Sequence, residues 1–250
     1  VIHRHRLSES WPELYEPADL QIVLDAVLGI VVRAWIWIRR KHLLREFHRS
    51  NEPRTAGLLY RHMKREERQR QPRWPRMKLK TEVGSFSSDE ELIPDGRIDI
   101  EIIYSLDDEP DLRLECKRVS ASIEDDRAAL GRYYVSGGVL RFVGDKYGRG
   151  HRWGVLIAFV VDGRFGAAVR LIADYVTRDD PDHLLSGFEA AGRPPRRHLF
   201  QTVHRQGGGS QQIRLLHLFL PFPPRSANGG SPPRSAARAP AGHGSPTSTP

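Results

Sequence analysis

Apolar and polar residues alternate through two neighbouring stretches, Gly96 to Tyr104 (Gly-Arg-Ile-Asp-Ile-Glu-Ile-Ile-Tyr) and Leu112 to Val119 (Leu-Arg-Leu-Glu-Cys-Lys-Arg-Val). A period of two predicts strands, because successive strand side chains point to opposite faces. The acidic, Pro-containing segment between them predicts an antiparallel hairpin. One face then carries Ile98, Ile100, Ile102 and Tyr104 with Leu112, Leu114 and Cys116, and it requires a core. The other carries Asp99, Glu101 and Ile103 with Arg113, Glu115 and Lys117.

Elsewhere the pattern predicts helices and further strands. Leu20 to Ile38 is the most apolar stretch, with Trp35 and Trp37 among its aliphatic residues. Its length would just span a bilayer. Asp25 and Arg33 lie inside it, and each would cost about 2.5–3.5 kcal/mol near a membrane centre, which favours a buried helix packed on a sheet. Asn51-Glu-Pro starts a second helix within the charged segment 46–70. A connection over 71–91 leads into the sheet, with one strand near Met77 to Val83.

Ser122-Ile-Glu-Asp starts a third helix, which Gly137 and Gly138 interrupt before Val139 to Val143. Trp153 to Val161 is continuously apolar, as a buried central strand is. Ala168, Leu171, Ile172, Tyr175 and Val176 share one helical face. His198 to His204 and Gln212 to Leu220 read as a closing hairpin across Gly207 to Ser210.

The chain is therefore expected to be α/β, with a mixed central sheet flanked by helices. Its parts are an N-terminal helical segment (1–45), a core (46–222) and a tail (223–250) too poor in apolar residues to fold alone.

The balance of charge adds a partner. A formal net charge of +8 and a pI near 9.9 favour an acidic one, most often nucleic acid. The single cysteine, Cys116, precludes an intramolecular disulfide and fits a reducing, cytoplasmic setting. The first residues, Val-Ile-His-Arg-His-Arg, do not read as a secretory signal. No Gly-rich nucleotide fingerprint or nucleophile elbow occurs. His204 and His217 lack metal-ligand spacing and read as structural histidines.

The chemistry concentrates on the polar face of the hairpin. A turn near Asp107 and Asp108 brings Asp99 roughly opposite Glu115 or Cys116, where paired side chains lie about 4.5–5.5 Å apart. A cross-strand ion pair with Lys117 is the structural reading. Like charges facing each other destabilise a sheet unless a cation joins them, and two carboxylates plus waters is how Mg²⁺ is held. Glu-Cys-Lys is the only acid-x-Lys match in the chain, against about 0.7 expected by chance. Only six of the 39 basic residues are lysines. A lysine at 117 is thus an exception, and an ammonium whose pKa can be lowered can move protons where a guanidinium cannot.

Ile-Pro-Asp-Gly-Arg-Ile-Asp-Ile followed by Leu-Glu-Cys-Lys resembles the hairpin of the PD-(D/E)XK nuclease superfamily, with its restriction-endonuclease-like core. The resemblance implies a Mg²⁺- or Mn²⁺-dependent phosphodiester hydrolase acting on DNA rather than RNA, in restriction or defence against foreign DNA. Asp99 and Glu115 would hold the metal, with the Cys116 carbonyl as a further ligand. Lys117 would orient or deprotonate the attacking water. The literal Pro-Asp pair, Pro94 and Asp95, lies four residues before Asp99. A helix carboxylate before the hairpin would be Glu52, with Glu46 and Glu66 as rivals. Arg132, Tyr134 and Arg141 are candidates from the helix after the acid-x-Lys strand. A second copy of the chain is a further partner considered. The alternatives are a non-catalytic nucleic-acid-binding module on the same scaffold and a membrane-anchored interaction protein using residues 20–38.

Overall fold

A computed structural model of the chain describes residues 17–40, 52–70, 78–85, 96–103, 112–122, 128–144, 146–147, 151–191, 198–207 and 209–223. The apolar stretch near the N-terminus forms helix α1, Pro17–Arg40. Val23, Leu24, Val27, Leu28, Val31, Ala34, Trp35 and Ile38 recur at helical spacing and are buried. Asp25 faces solvent on the other side, and Arg33 pairs with Glu66 of helix α2, Glu52–Arg70, at 3.3 Å. Both charges that argued against a membrane span therefore lie off the buried stripe. Among the described residues no helix is long and apolar enough to cross a membrane.

The two helices cover one face of a mixed sheet. Its strands are β1 (Lys78–Ser85), β2 (Gly96–Ile103), β3 (Leu112–Val119), β4 (Trp153–Val160), β5 (Leu184–Ala190), β6 (Leu199–Arg205) and β7 (Gln212–Pro221). They lie in the order β1-β2-β3-β4-β7-β6-β5. The pairs β3–β4 and β4–β7 are parallel and the rest antiparallel.

Strand β4 is apolar throughout because both of its faces are covered. Val155, Ile157 and Phe159 enter the core beneath α1 and α2. Leu156, Ala158 and Val160 enter a second core, closed by the crossover from β3 to β4 and by helix α5, Phe165–Asp179.

That crossover is helix α3 (Ala128–Tyr134), a π-turn (Val135–Val139) and helix α4 (Leu140–Val143). Gly137 and Gly138 do not interrupt the helix, as expected from their flexibility. They widen it to a π-turn, and both are buried. Wide turns of this kind recur at functional sites. Strand β5 was not anticipated. It is an edge strand whose residues are mostly exposed or half-buried, so it carries little apolar signal. Tyr104 and the tail from 224 lie outside the described residues.

His204 and His217 belong to a buried hydrogen-bond chain. Asp180 Oδ2 meets His204 Nδ1 at 2.7 Å, and His204 Nε2 meets Thr202 Oγ1 at 2.8 Å. Thr202 Oγ1 meets His217 Nε2 at 2.8 Å, and His217 Nδ1 meets the Tyr134 hydroxyl at 2.8 Å. One assignment satisfies every link with both imidazoles neutral. Tyr134 donates to His217, His217 to Thr202, Thr202 to His204 and His204 to Asp180. The chain fastens the end of α3 to β7 and β6 and to the residue that follows α5.

Candidate active site

Register explains why the polar face of the hairpin opens at one point. Ile102 pairs with Leu112, Glu101 with Arg113 and Ile100 with Leu114. Beyond that, β2 continues to pair with β1 through Gly96, while β3 continues against β4. The next backbone donor on β3, the Cys116 N–H, is taken by the Asp99 carboxylate at 2.7 Å. Asp99 thus holds the hairpin together by a side chain where the described β2–β3 pairs end. Its charge also lies close enough to act on Glu115.

Glu115 and Lys117 project from β3 on the face covered by the π-turn. The Lys117 ammonium donates to Glu115 Oε1 at 2.6 Å and to Glu52 Oε1 at 2.8 Å. Glu52 Oε2 accepts the Arg118 N–H at 3.3 Å. Glu52 comes from the first turn of α2, in the layer on the opposite side of the sheet, and its contact with Lys117 is made beyond the last β2–β3 pair. The side chains of Glu115 and Lys117 are 2% and 3% exposed, whereas that of Glu52 is 20% exposed.

Glu101 is neutralised by Arg113 at 3.3 Å. Glu115 and Glu52 share the Lys117 ammonium, Asp99 lies close enough to act on Glu115, and Glu115 Oε2 is buried with no hydrogen-bond partner among the described residues. Burial pushes the Glu115 carboxyl up to about 8, with Lys117 opposing and Asp99 adding to the rise. Burial works to lower Lys117, but the Glu115 and Glu52 carboxylates outweigh it and hold the ammonium above the usual lysine range.

The other candidates divide clearly. Glu66 is committed to Arg33; Glu46, Pro94 and Asp95 lie outside the described residues. The Cys116 thiol is fully buried in the core under α1 and α2, and burial raises its pKa. Only its backbone faces the site chemistry. Arg132 is exposed. Tyr134 is spent on His217. Arg141 donates to the Tyr147 hydroxyl and is close enough to feel the Glu115 charge.

Tyr133 is the residue that sequence reasoning missed. Its ring lies 5.1 Å from the Lys117 ammonium, and it is 45% exposed. A Cβ at Gly137 would approach the Tyr133 ring to 2.8 Å. A glycine four residues after an aromatic was the available signal. Gly138 has the matching role beneath, since a Cβ there would lie 2.7 Å from Leu156 Cδ2 and 3.7 Å from Lys117 Cγ. Gly138→Ala is expected to cost about 1–3 kcal/mol through overpacking, read as a shift of the urea midpoint with unchanged slope. A neutral outcome would show that the helix need not approach β3 so closely.

Two carboxylates on one lysine, with the Asp99 charge acting on one of them, can recruit a cation. Among the described residues no three Asp, Glu, His or Cys side chains converge as a ready-made metal cage. The donor set suits an ion that keeps its waters and takes one or two carboxylates, as Mg²⁺ does.

The buried charges are expected to cost stability. Native Glu115, with its pKa near 8, holds a proton that the unfolded chain releases near the ordinary value of about 4.3. The stabilising contribution of its protonated form is complete below the unfolded pKa and is lost as pH rises through the folded one. Glu115→Gln keeps the neutral state, so its Tm is expected to gain on wild type from pH 5 to 8 and level off above. A Tm difference that is flat or falls with pH would contradict the burial argument. Comparisons of the chain with protein-family models, curated proteins and solved structures find no match.

Proposed function

We propose that this protein is a Mg²⁺- or Mn²⁺-dependent nuclease that hydrolyses phosphodiester bonds in DNA. The observation that carries the reading is Glu115, a buried carboxylate with an unpartnered Oε2, placed with Asp99, Glu52 and Lys117 where the β2–β3 ladder ends. Buried polar atoms are ordinarily satisfied, and an unpartnered carboxyl oxygen beside a lysine is a point where a cation or water can bind. Support also comes from the order of elements. A helix carrying Glu52 precedes the hairpin, and another helix follows the acid-x-Lys strand, as the superfamily resemblance implies.

In this reading Asp99 and Glu115 bind the ion, and the Cys116 carbonyl is a further ligand. When bound, the ion supplies charge neutralisation at the phosphate and a more acidic water. Glu52 holds the Lys117 ammonium beside the ligands. Lys117, kept charged by its neighbours, orients the attacking water and offsets negative charge on the phosphate, rather than acting as the base. Tyr133 covers the ammonium from the outer side. Cleavage of foreign DNA in a cytoplasmic setting is the biological role this chemistry would serve.

Metal binding tests the ligand assignment directly. Titration with Mn²⁺ followed by electron paramagnetic resonance is expected to give saturable binding to wild type, weakened at least tenfold in Glu115→Ala. Equal affinity in the two proteins would remove Glu115 from the ligand set.

A further inference from the structure

Helix α2 carries Glu52 into the site by its first turn and a row of arginines along its outer side. Arg54, Arg61, Arg65 and Arg68 are all exposed. Their spacings of seven, four and three residues place them on one helical face. The buried residues Leu59 and Met63 lie on the opposite face. The acids of the same helix are used elsewhere. Glu52 holds Lys117 at 2.8 Å, Glu66 holds Arg33 at 3.3 Å and Glu67 holds Lys64 at 2.7 Å. Arg61, Arg65 and Arg68 form no ion pair among the described residues.

Their positive field is felt locally. After burial, Arg61 and Arg65 are the charges that depress His62. Arg65 also lies over the Trp37 ring of α1, 4.9 Å from its centroid, which holds one guanidinium against an aromatic surface. Gly57 lies in the same row, between Arg54 and Arg61, and a Cβ there would meet nothing within 4 Å. The row therefore contains an open step where a backbone can approach the helix closely.

We propose that this outer face of α2 is a binding track for the phosphate backbone of duplex DNA. The assignment rests on the nuclease reading for its link to the site, but not for its own test. Fourteen residues of helix span about 21 Å, the length of about six phosphates along one strand of a duplex. Guanidinium groups suit phosphate because they are planar, always charged and weakly hydrated. Arg54 belongs to the same turn region as Glu52, so a strand followed along the row leads to the end of α2 that enters the site. Contacts of this type fix position without reading bases, so the track supplies affinity and register, not sequence preference.

The test uses the full chain and a fluorescently labelled 30-base-pair DNA duplex, in EDTA so that cleavage does not intrude. Anisotropy is followed between 50 and 200 mM salt. The variant is Arg61→Gln/Arg65→Gln/Arg68→Gln, whose positions are exposed. The control is Arg170→Gln/Arg178→Gln on α5, also exposed.

The triple variant is expected to bind at least tenfold more weakly at about 100 mM salt. Its log–log salt slope should be shallower by about 2–3, while the control stays within twofold of wild type. Wild-type affinity in the triple variant, an equal loss in the control or no binding by wild type would each overturn the track. Normal DNA binding without metal-dependent cleavage would instead count against the nuclease reading and leave the track to be decided by the triple variant.

Discussion

Lys117→Ala is expected to lower DNA cleavage by about 10²–10³-fold, the range for removing one donor aimed at developing charge. The protein should remain folded. The substitution removes an ammonium that is bonded to Glu115 and Glu52 at 2.6 and 2.8 Å, which would ordinarily strand a buried anion at a cost of several kcal/mol. Here burial raises the Glu115 pKa to about 8, so the carboxyl keeps its proton near neutral pH and no buried anion is stranded. Glu52 is partly exposed and retains the Arg118 N–H.

Lys117→Met fills the space of the lysine stem and should show the same loss of activity with less loss of stability. Lys117→Arg should fail to rescue, because a planar fork cannot occupy the position between two carboxylates and a ring that a compact ammonium does. Single-turnover cleavage set beside thermal unfolding separates the two effects. Wild-type rates in Lys117→Met would remove the lysine from the chemistry.

His217→Ala has the largest expected effect on stability. His217 is fully buried and bonded on both nitrogens, to Tyr134 and Thr202. Its ring also packs 4.5 Å from Phe188, centroid to centroid. Truncation leaves a cavity and strands the buried Tyr134 hydroxyl, while Thr202 keeps its bond to His204. The unsatisfied group costs about 1–3 kcal/mol and the cavity left by a large buried ring adds about as much or more, so the loss should reach about 3–5 kcal/mol. For a chain of this size that is a fall in Tm of roughly 10 °C. Burial and the neighbouring His204 hold the His217 pKa well below the usual value. The native ring therefore stays neutral while the unfolded one takes up a proton below about pH 6.5. Its contribution is lost as pH falls, and wild-type stability should decline on acidification more steeply than that of His217→Gln. A loss under 1 kcal/mol, or no difference in acid sensitivity, would mean that the chain of hydrogen bonds does not carry this strain.

The hairpin was legible because its two strands obey a period of two, and because like charges on one face raise a question that register then answers. The alternation put Asp99, Glu115 and Lys117 on one face with Glu101 and Arg113, and only the resemblance singled them out. Glu52 was named with Glu46 and Glu66 as rivals. Glu52 and Glu66 differ in the angle at which α2 presents them, and in packing Glu66 turned toward Arg33. Gly137 and Gly138 were misread because glycine in a helix usually signals an end. Here their missing side chains admit the Tyr133 ring and the Lys117 stem. Strand β5 escaped because an edge strand with exposed faces needs no apolar alternation. The histidine chain depends on β6–β7 register and on Asp180 at the end of α5, neither of which local sequence specifies.

The most direct test of the central claim is cleavage of plasmid and linear DNA with Mg²⁺, Mn²⁺ or EDTA, with Glu115→Gln run beside wild type. The account predicts cutting by wild type with either metal, none in EDTA, and loss in Glu115→Gln, which folds at least as well at pH 8. Folded wild-type protein that binds DNA but does not cut it with either metal, or cutting that survives in Glu115→Gln, would contradict it.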